Sequence, residues 1–77
     1  SEPDAISKLT VQEIIKCIQQ LSPAYRSVFN LYVVEGFSHR EIADILTITE
    51  STSRSNLVKA RSKLKDLLTV RLGKYGK

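Results

Sequence analysis

Hydrophobic residues recur at helical spacing along most of the chain and predict about four helices. The first is predicted to begin at about Ala5 or Thr10 and to end at Gln20. Thr10 and Glu13 form a capping box for the later start. Its predicted apolar face consists of Ile14, Ile15, Ile18 and Leu21, with Cys17 on the edge as a small hydrophobe.

A second helix is predicted from Pro23 to Glu35. Ser22 is a suitable N-cap, Pro23 suits the first turn, and Gly36 is a natural C-cap. Apolar residues cover most of the circumference, so we expect this helix to be the central and most enclosed one, with Phe37 closing the junction that follows. These residues are Tyr25, Val28, Phe29, Leu31, Tyr32 and Val33.

Residues 38–68 have the pattern of a helix-turn-helix. Ser38 and Glu41 form a capping box for its first helix, whose apolar face is Ile42, Ile45 and Leu46. Ile48 is the apolar residue of the turn, and Thr49 is the predicted N-cap of the second helix. Beyond residue 68 we expect a frayed helix end and a basic tail.

The second helix of this unit has two different faces at about 100° per residue. The sector expected to pack on the preceding helices holds Ser53, Leu57, Ala60, Leu64 and Leu67. The opposite sector holds Ser51, Ser55, Val58, Lys59 and Ser62. Two flanking stripes hold Arg54, Arg61 and Lys65, and Thr52, Asn56 and Lys63. A helix in the major groove needs small groups that reach base edges and cations beside the phosphates, so the pattern predicts DNA reading.

Composition and charge agree with one small DNA-binding domain spanning residues 1–77. Residues 39–77 carry nine Lys or Arg against four acids, whereas residues 1–38 carry three against four, so the net charge is +5 in one part and −1 in the other. No apolar run approaches a membrane span, and no signal peptide is visible. The lone Cys17 has no disulfide partner, which suits a cytoplasmic protein. The chain starts without Met, and we expect it to be a fragment of a longer protein.

Catalytic and metal chemistry find little support in the sequence. The chain has one His, one Cys, no glycine-rich phosphate loop and no pair of carboxylates in an apolar setting. We therefore expect no enzyme activity, no cofactor and no metal site. His39, at the first turn of a predicted helix, is interpreted as a solvated or phosphate-facing residue.

The linked motifs resemble region 4 of bacterial sigma factors of the extracytoplasmic-function type. The resemblance covers about residues 14–68. The order of Leu-Ser-Pro at 21–23, Glu-Gly-Phe-Ser at 35–38, Glu-Ile-Ala at 41–43 and Thr-Ser-Arg-Ser at 52–55 is fairly specific, although Glu-Ile-Ala alone occurs in many helix-turn-helix proteins. The resemblance implies an all-α, winged-helix-like bundle that directs RNA polymerase to the promoter −35 element.

The resemblance also implies roles for individual residues. Base contacts are expected at Arg54, Ser55, Val58 and Lys59, to which we add Thr52. Phosphate contacts are expected at Arg40, Arg61 and Lys63, to which we add Asn56 and His39. Two positions depart from the family: Ser53 stands where Val is common, so the packing there is expected to be looser, and Asn56 stands where Arg is common, so its DNA contact is in doubt.

Partners are implied by the same resemblance. Region 4 docks on the flap of the polymerase beta subunit and is often sequestered by an anti-sigma factor. Exposed Val34 is a candidate for one of these two contacts. The family's other conserved half is not in this sequence, so we expect a monomer that binds DNA weakly and alone initiates nothing.

Two other classes of protein remain as alternatives. The output domain of a response regulator of the LuxR type shares several of these motifs, but it usually dimerises through a C-terminal helix with an apolar seam. A protein-docking helical bundle with a merely solvated basic helix is the third reading. A salt-sensitive preference for one DNA sequence would distinguish the sigma-type domain from the protein-docking bundle.

Overall fold

The computed structural model describes residues 9–73, which form four α-helices and contain no strand. Helix α1 spans Val11–Gln19, α2 spans Pro23–Phe29 and continues as a π-helical turn at Asn30–Val34, α3 spans His39–Leu46, and α4 spans Glu50–Gly73. The predicted all-α bundle with a helix-turn-helix is confirmed, without a β-wing in the described part. No helix within residues 9–73 is long and apolar enough to cross a bilayer.

Capping boxes begin both α1 and α3. The N–H of Glu13 donates to the hydroxyl of Thr10 at 3.1 Å, and the N–H of Thr10 donates to the carboxylate of Glu13 at 3.0 Å. Ser38 and Glu41 make the same reciprocal pair at 3.1 and 2.9 Å. Each box satisfies backbone donors that have no partner inside the helix. The start predicted at Thr10 is confirmed, whereas Ala5 lies outside the described residues.

The second predicted helix changes its winding before it ends. The N–H of Glu35 donates to the carbonyl of Asn30 at 2.9 Å, five residues back rather than four. This wider turn leaves Val33 and Val34 exposed, Val34 by 64%. The prediction that Val33 belongs to the enclosed surface of this helix is therefore wrong, whereas the exposure of Val34 agrees with the expectation from the sequence. Gly36 ends the segment at φ +82°, a conformation that glycine adopts without steric cost.

The turn between α3 and α4 has the expected parts. Thr47 ends α3 in the left-handed conformation at φ 56°, which is uncommon for a β-branched residue. Ile48 packs partly buried against the core, as predicted for the apolar residue of the turn. The hydroxyl of Thr49 then accepts a hydrogen bond from the N–H of Thr52 at 3.0 Å and caps α4.

Helix α4 supplies the largest share of the core. It packs chiefly against α2 and α3, with α1 also in contact. The buried hydrophobic residues that meet in this core are Cys17, Leu21, Val28, Phe29, Ile42, Leu57, Ala60 and Leu64. Cys17 is only 1% exposed, so its interpretation as a small buried hydrophobe is confirmed, although it lies inside the core rather than on an edge. Ile15, predicted for the buried face of α1, is instead exposed.

Helix α4 continues beyond the predicted end at residue 68 to Gly73. The prediction of a frayed end is wrong for residues 69–73, because α1 provides a surface for the extra turn. Leu67 and Leu68 pack partly buried against the core, and the guanidinium of Arg71 lies 3.8 Å from the carboxylate of Glu13 on α1. The tail after residue 73 lies outside the described residues.

The buried face of α4 should carry much of the stability. Leu57 is 4% exposed and its neighbour Val58 is 66% exposed. We expect Leu57→Ala to lower the free energy of unfolding by about 2 to 5 kcal/mol, because it leaves a cavity in the core. Val58→Ala, the matched control, should change it by less than about 0.5 kcal/mol. Urea unfolding followed by circular dichroism measures both, and equal effects would mean that the two faces are wrongly assigned.

The capping box of α3 predicts a dependence of stability on pH. Hydrogen bonds from the backbone N–H of Ser38 first, and from its side chain second, hold the pKa of Glu41 below its ordinary value. The ionised carboxylate thus stabilises the folded state above the unfolded pKa of about 4.3, and this contribution is lost as pH falls through the lower folded pKa.

Glu41→Gln keeps a capping side chain but removes this titration. We expect the melting temperature of the wild type to fall more steeply than that of the variant as the pH is lowered from 5 to 3. Parallel melting curves across this range would show that the carboxylate contributes nothing to the cap.

Candidate nucleic-acid interface

The exposed face of α4 lies opposite its core face. Because both faces belong to one helix, packing of the core face sets the orientation of the exposed face. Ser53, Leu57, Ala60 and Leu64 are buried on one side. Ser55, Val58 and Lys59 are exposed on the other. The outward position that the helical wheel predicted for these three residues is confirmed. Their role as base contacts stays a prediction.

The first turn of α4 is organised by short hydrogen bonds and one ion pair. The guanidinium of Arg54 lies 3.1 Å from the carboxylate of Glu50, one turn earlier, and both side chains are exposed. The hydroxyl of Ser55 donates to the carbonyl of Thr52 at 3.2 Å, within the same helix. Thr52 is half-buried, and its hydroxyl accepts from that of Thr49 at 2.8 Å. This end of the helix is therefore polar, compact and accessible.

Cations extend from this end along both helices of the unit. Arg40 is exposed at the start of α3, and Arg61 and Lys63 are exposed on α4. Asn56 differs, because it is half-buried and lines a cleft between α2 and the turn, together with Pro23, Ala24, Ser27, Leu46 and Ile48. The structure thus gives Arg40, Arg61 and Lys63 free access to solvent and gives Asn56 much less.

His39 has contacts that its sequence position did not predict. Its Nδ1 atom lies 2.8 Å from the hydroxyl oxygen of Ser53 on α4, and the two groups share a hydrogen bond. Its ring stacks on that of Tyr32, with centroids 4.4 Å apart and planes 17° apart. The ring is half-buried between neighbouring elements, so His39 is not freely solvated, and its other interpretation, as a phosphate-facing residue, stays a prediction.

Ser53 and Tyr32 are the residues of this site that sequence reasoning missed. Ser53 is 0% exposed and is the one buried polar residue within residues 9–73. A serine on the core face of a helical wheel was the available signal, since a buried hydroxyl requires a hydrogen-bond partner. The sequence led us to expect looser packing at Ser53, but it did not predict the hydrogen bond between Ser53 and His39.

The arrangement suits a polyanion better than a small molecule. The face combines an apolar side chain and short polar groups with exposed cations, as a helix that enters a DNA groove requires. Within residues 9–73, no three His, Cys, Asp or Glu side chains are grouped so that they could hold a metal ion. The fold and this face together define a helix-turn-helix domain whose second helix is presented to solvent.

Comparison with protein families identifies which helix-turn-helix domain this is. The family model described as sigma-70, region 4, matches residues 11–64. This is more than half of the chain, which therefore belongs to the sigma-70 region 4 family. The domain is thus a DNA-binding, non-catalytic part of a transcription initiation factor. Comparisons with curated proteins and with solved structures give no match.

Proposed function

We propose that this domain is region 4 of an extracytoplasmic-function sigma factor and that it reads the −35 element of promoters in the cytoplasm. The N-terminal half of α4 lies in the major groove as the recognition helix. Arg54, Ser55, Val58 and Lys59 contact base edges, with Thr52 at the margin. Arg40, Arg61 and Lys63 contact phosphates, and Asn56 completes that set.

The observation that carries this proposal is the position of the recognition residues on a helix whose other face is the core. Ser55, Val58 and Lys59 cannot turn away from solvent without removing Leu57 and Ala60 from the core. The reading surface is therefore preorganised, and little ordering of the backbone opposes binding. The methyl groups of Val58 are suited to contact with the methyl group of thymine, and Arg54 is suited to guanine.

A selection from a randomised DNA duplex pool at two salt concentrations tests the proposal. We expect enrichment of one short asymmetric motif, with binding that weakens as salt rises because counterions are released from the phosphates. A palindromic motif would favour a dimeric response regulator instead. No enrichment at either salt concentration would overturn the proposal in favour of a protein-docking bundle.

Base and phosphate contacts should respond differently to mutation. Arg54→Ala should remove about 1 to 3 kcal/mol of discrimination between the selected sequence and a scrambled one. Lys63→Ala should weaken binding to both sequences alike and flatten the dependence of log K on log salt by about one unit. Fluorescence anisotropy titrations with both duplexes at several salt concentrations measure the two effects.

Lys16→Ala is the matched control, because this exposed lysine lies on α1, outside the helix-turn-helix. It should leave both the discrimination and the salt dependence close to those of the wild type. If Arg54→Ala and Lys63→Ala acted identically on all sequences, the assignment of base and phosphate roles would be wrong.

A second surface is available for the polymerase. Val33 and Val34 are exposed at the end of the π-helical turn, outside α4. We propose that this apolar pair contacts the flap of the polymerase beta subunit, and that an anti-sigma factor competes for it. In this proposal the exposed face of α4 binds DNA and the Val33–Val34 pair binds another protein. Neither surface is assigned to a second copy of the chain, so the isolated domain is a monomer.

Val34→Asp should weaken binding of the domain to core RNA polymerase by about 5- to 10-fold, the loss expected when a charge replaces an apolar interface contact. Val70→Asp is the matched control, since Val70 is 68% exposed and Val34 is 64% exposed. Surface plasmon resonance with immobilised core enzyme measures both, and DNA binding should be unchanged in each. Equal losses of polymerase binding would place the docking surface elsewhere.

A further inference from the structure

The ring of His39 joins three parts of the fold. It belongs to the first residue of α3, it stacks on Tyr32 in the π-helical turn, and its Nδ1 atom is bonded to Ser53 in the first turns of α4. These contacts lie at 4.4 Å between ring centroids and 2.8 Å between hydrogen-bonding atoms. A single side chain thus ties the start of the recognition helix to both elements that precede it.

The bond at Ser53 has a clear physical reason. Its side chain is 0% exposed, and a hydroxyl removed from water requires a partner. A serine in a helix can turn its hydroxyl towards the carbonyl four residues back, here that of Thr49, but this alternative tends to bend the helix. His39 supplies the partner from outside α4, so the hydroxyl of Ser53 does not need the carbonyl of Thr49.

Ser53 directly precedes two of the residues expected to contact bases, Arg54 and Ser55. A shift of Ser53 would carry both of them, because all three lie on consecutive positions of one rigid helix. We propose that His39 is a positioning residue for promoter recognition, which sets the location of the base-reading turn of α4 through Ser53. This inference rests on the proposed function of α4 in reading DNA.

Two isosteric replacements separate this role from a phosphate contact by the outer ring nitrogen. The side-chain amide of asparagine reaches the position of Nδ1, whereas that of glutamine reaches the position of Nε2. His39→Asn therefore retains a group for the bond to Ser53, and His39→Gln retains only a group that faces outward. Both variants lose the stacked imidazole ring, so the effect of stacking is matched between them.

The test measures affinity for the selected duplex and for a scrambled duplex by fluorescence anisotropy, well below the melting temperature of each variant. We expect His39→Gln to lower the ratio of the two affinities by about 5-fold or more, because the hydroxyl of Ser53 loses its partner, and to leave affinity for the scrambled duplex unchanged. His39→Asn should recover most of the ratio.

Ser53→Ala removes the same hydrogen bond from the side of α4, with a smaller change in volume. It tests the inference even if the His39 variants fail to fold. It should lower the ratio as His39→Gln does, and the double variant should show no further loss, since both changes remove one interaction. Additive losses in the double variant would overturn the inference.

Each of three other outcomes would also overturn the inference. If His39→Asn loses affinity for both duplexes while His39→Gln retains it, the ring contacts phosphate and does not position α4. If the wild type is selective and both His39→Gln and Ser53→Ala match it, the positioning role fails while the proposed function stands. If the wild type prefers no sequence, the proposed function fails, and the positioning role fails with it.

Discussion

Burial of one face of α4 is the interaction on which the rest of this domain depends. Leu57, Ala60 and Leu64 belong to the one core cluster that also holds residues of α1, α2 and α3, and α4 contacts each of those helices. In a domain of 77 residues the core is small, and each such contact is a large part of the net stability. The helix proposed to read DNA is therefore also the helix that contributes most to the core.

The features that sequence predicted correctly are those decided by near neighbours. Capping boxes involve residues three positions apart, and the two faces of α4 follow from its periodicity alone. Thr10, Ser38 and the outward position of Val58 belong to this group. Only part of the candidate site could be predicted in this way. Periodicity predicts which residues of α4 are exposed, but it does not predict which base each of them contacts.

The features that sequence missed depend on tertiary contacts. The π-helical turn at Asn30–Val34 has a hydrophobic pattern that an α-helix would also accept, so the sequence did not indicate the wider winding. The last turn of α4 persists because α1 lies beside it. His39 and Ser53 are fourteen residues apart, and their pairing requires the turn between α3 and α4 to be in place.

The ion pair between Glu50 and Arg54 has a consequence for how the domain meets DNA. An exposed pair of this kind contributes less than about 1 kcal/mol, so it is readily exchanged for a stronger partner. In the free protein, the carboxylate of Glu50 lies 3.1 Å from the guanidinium of Arg54. This ion pair restricts the rotamers of the long Arg54 side chain. Part of the side-chain entropy that Arg54 would lose on meeting a base is already lost in the free protein. In the proposed complex with DNA, Glu50 is thus the partner that a base would replace on Arg54.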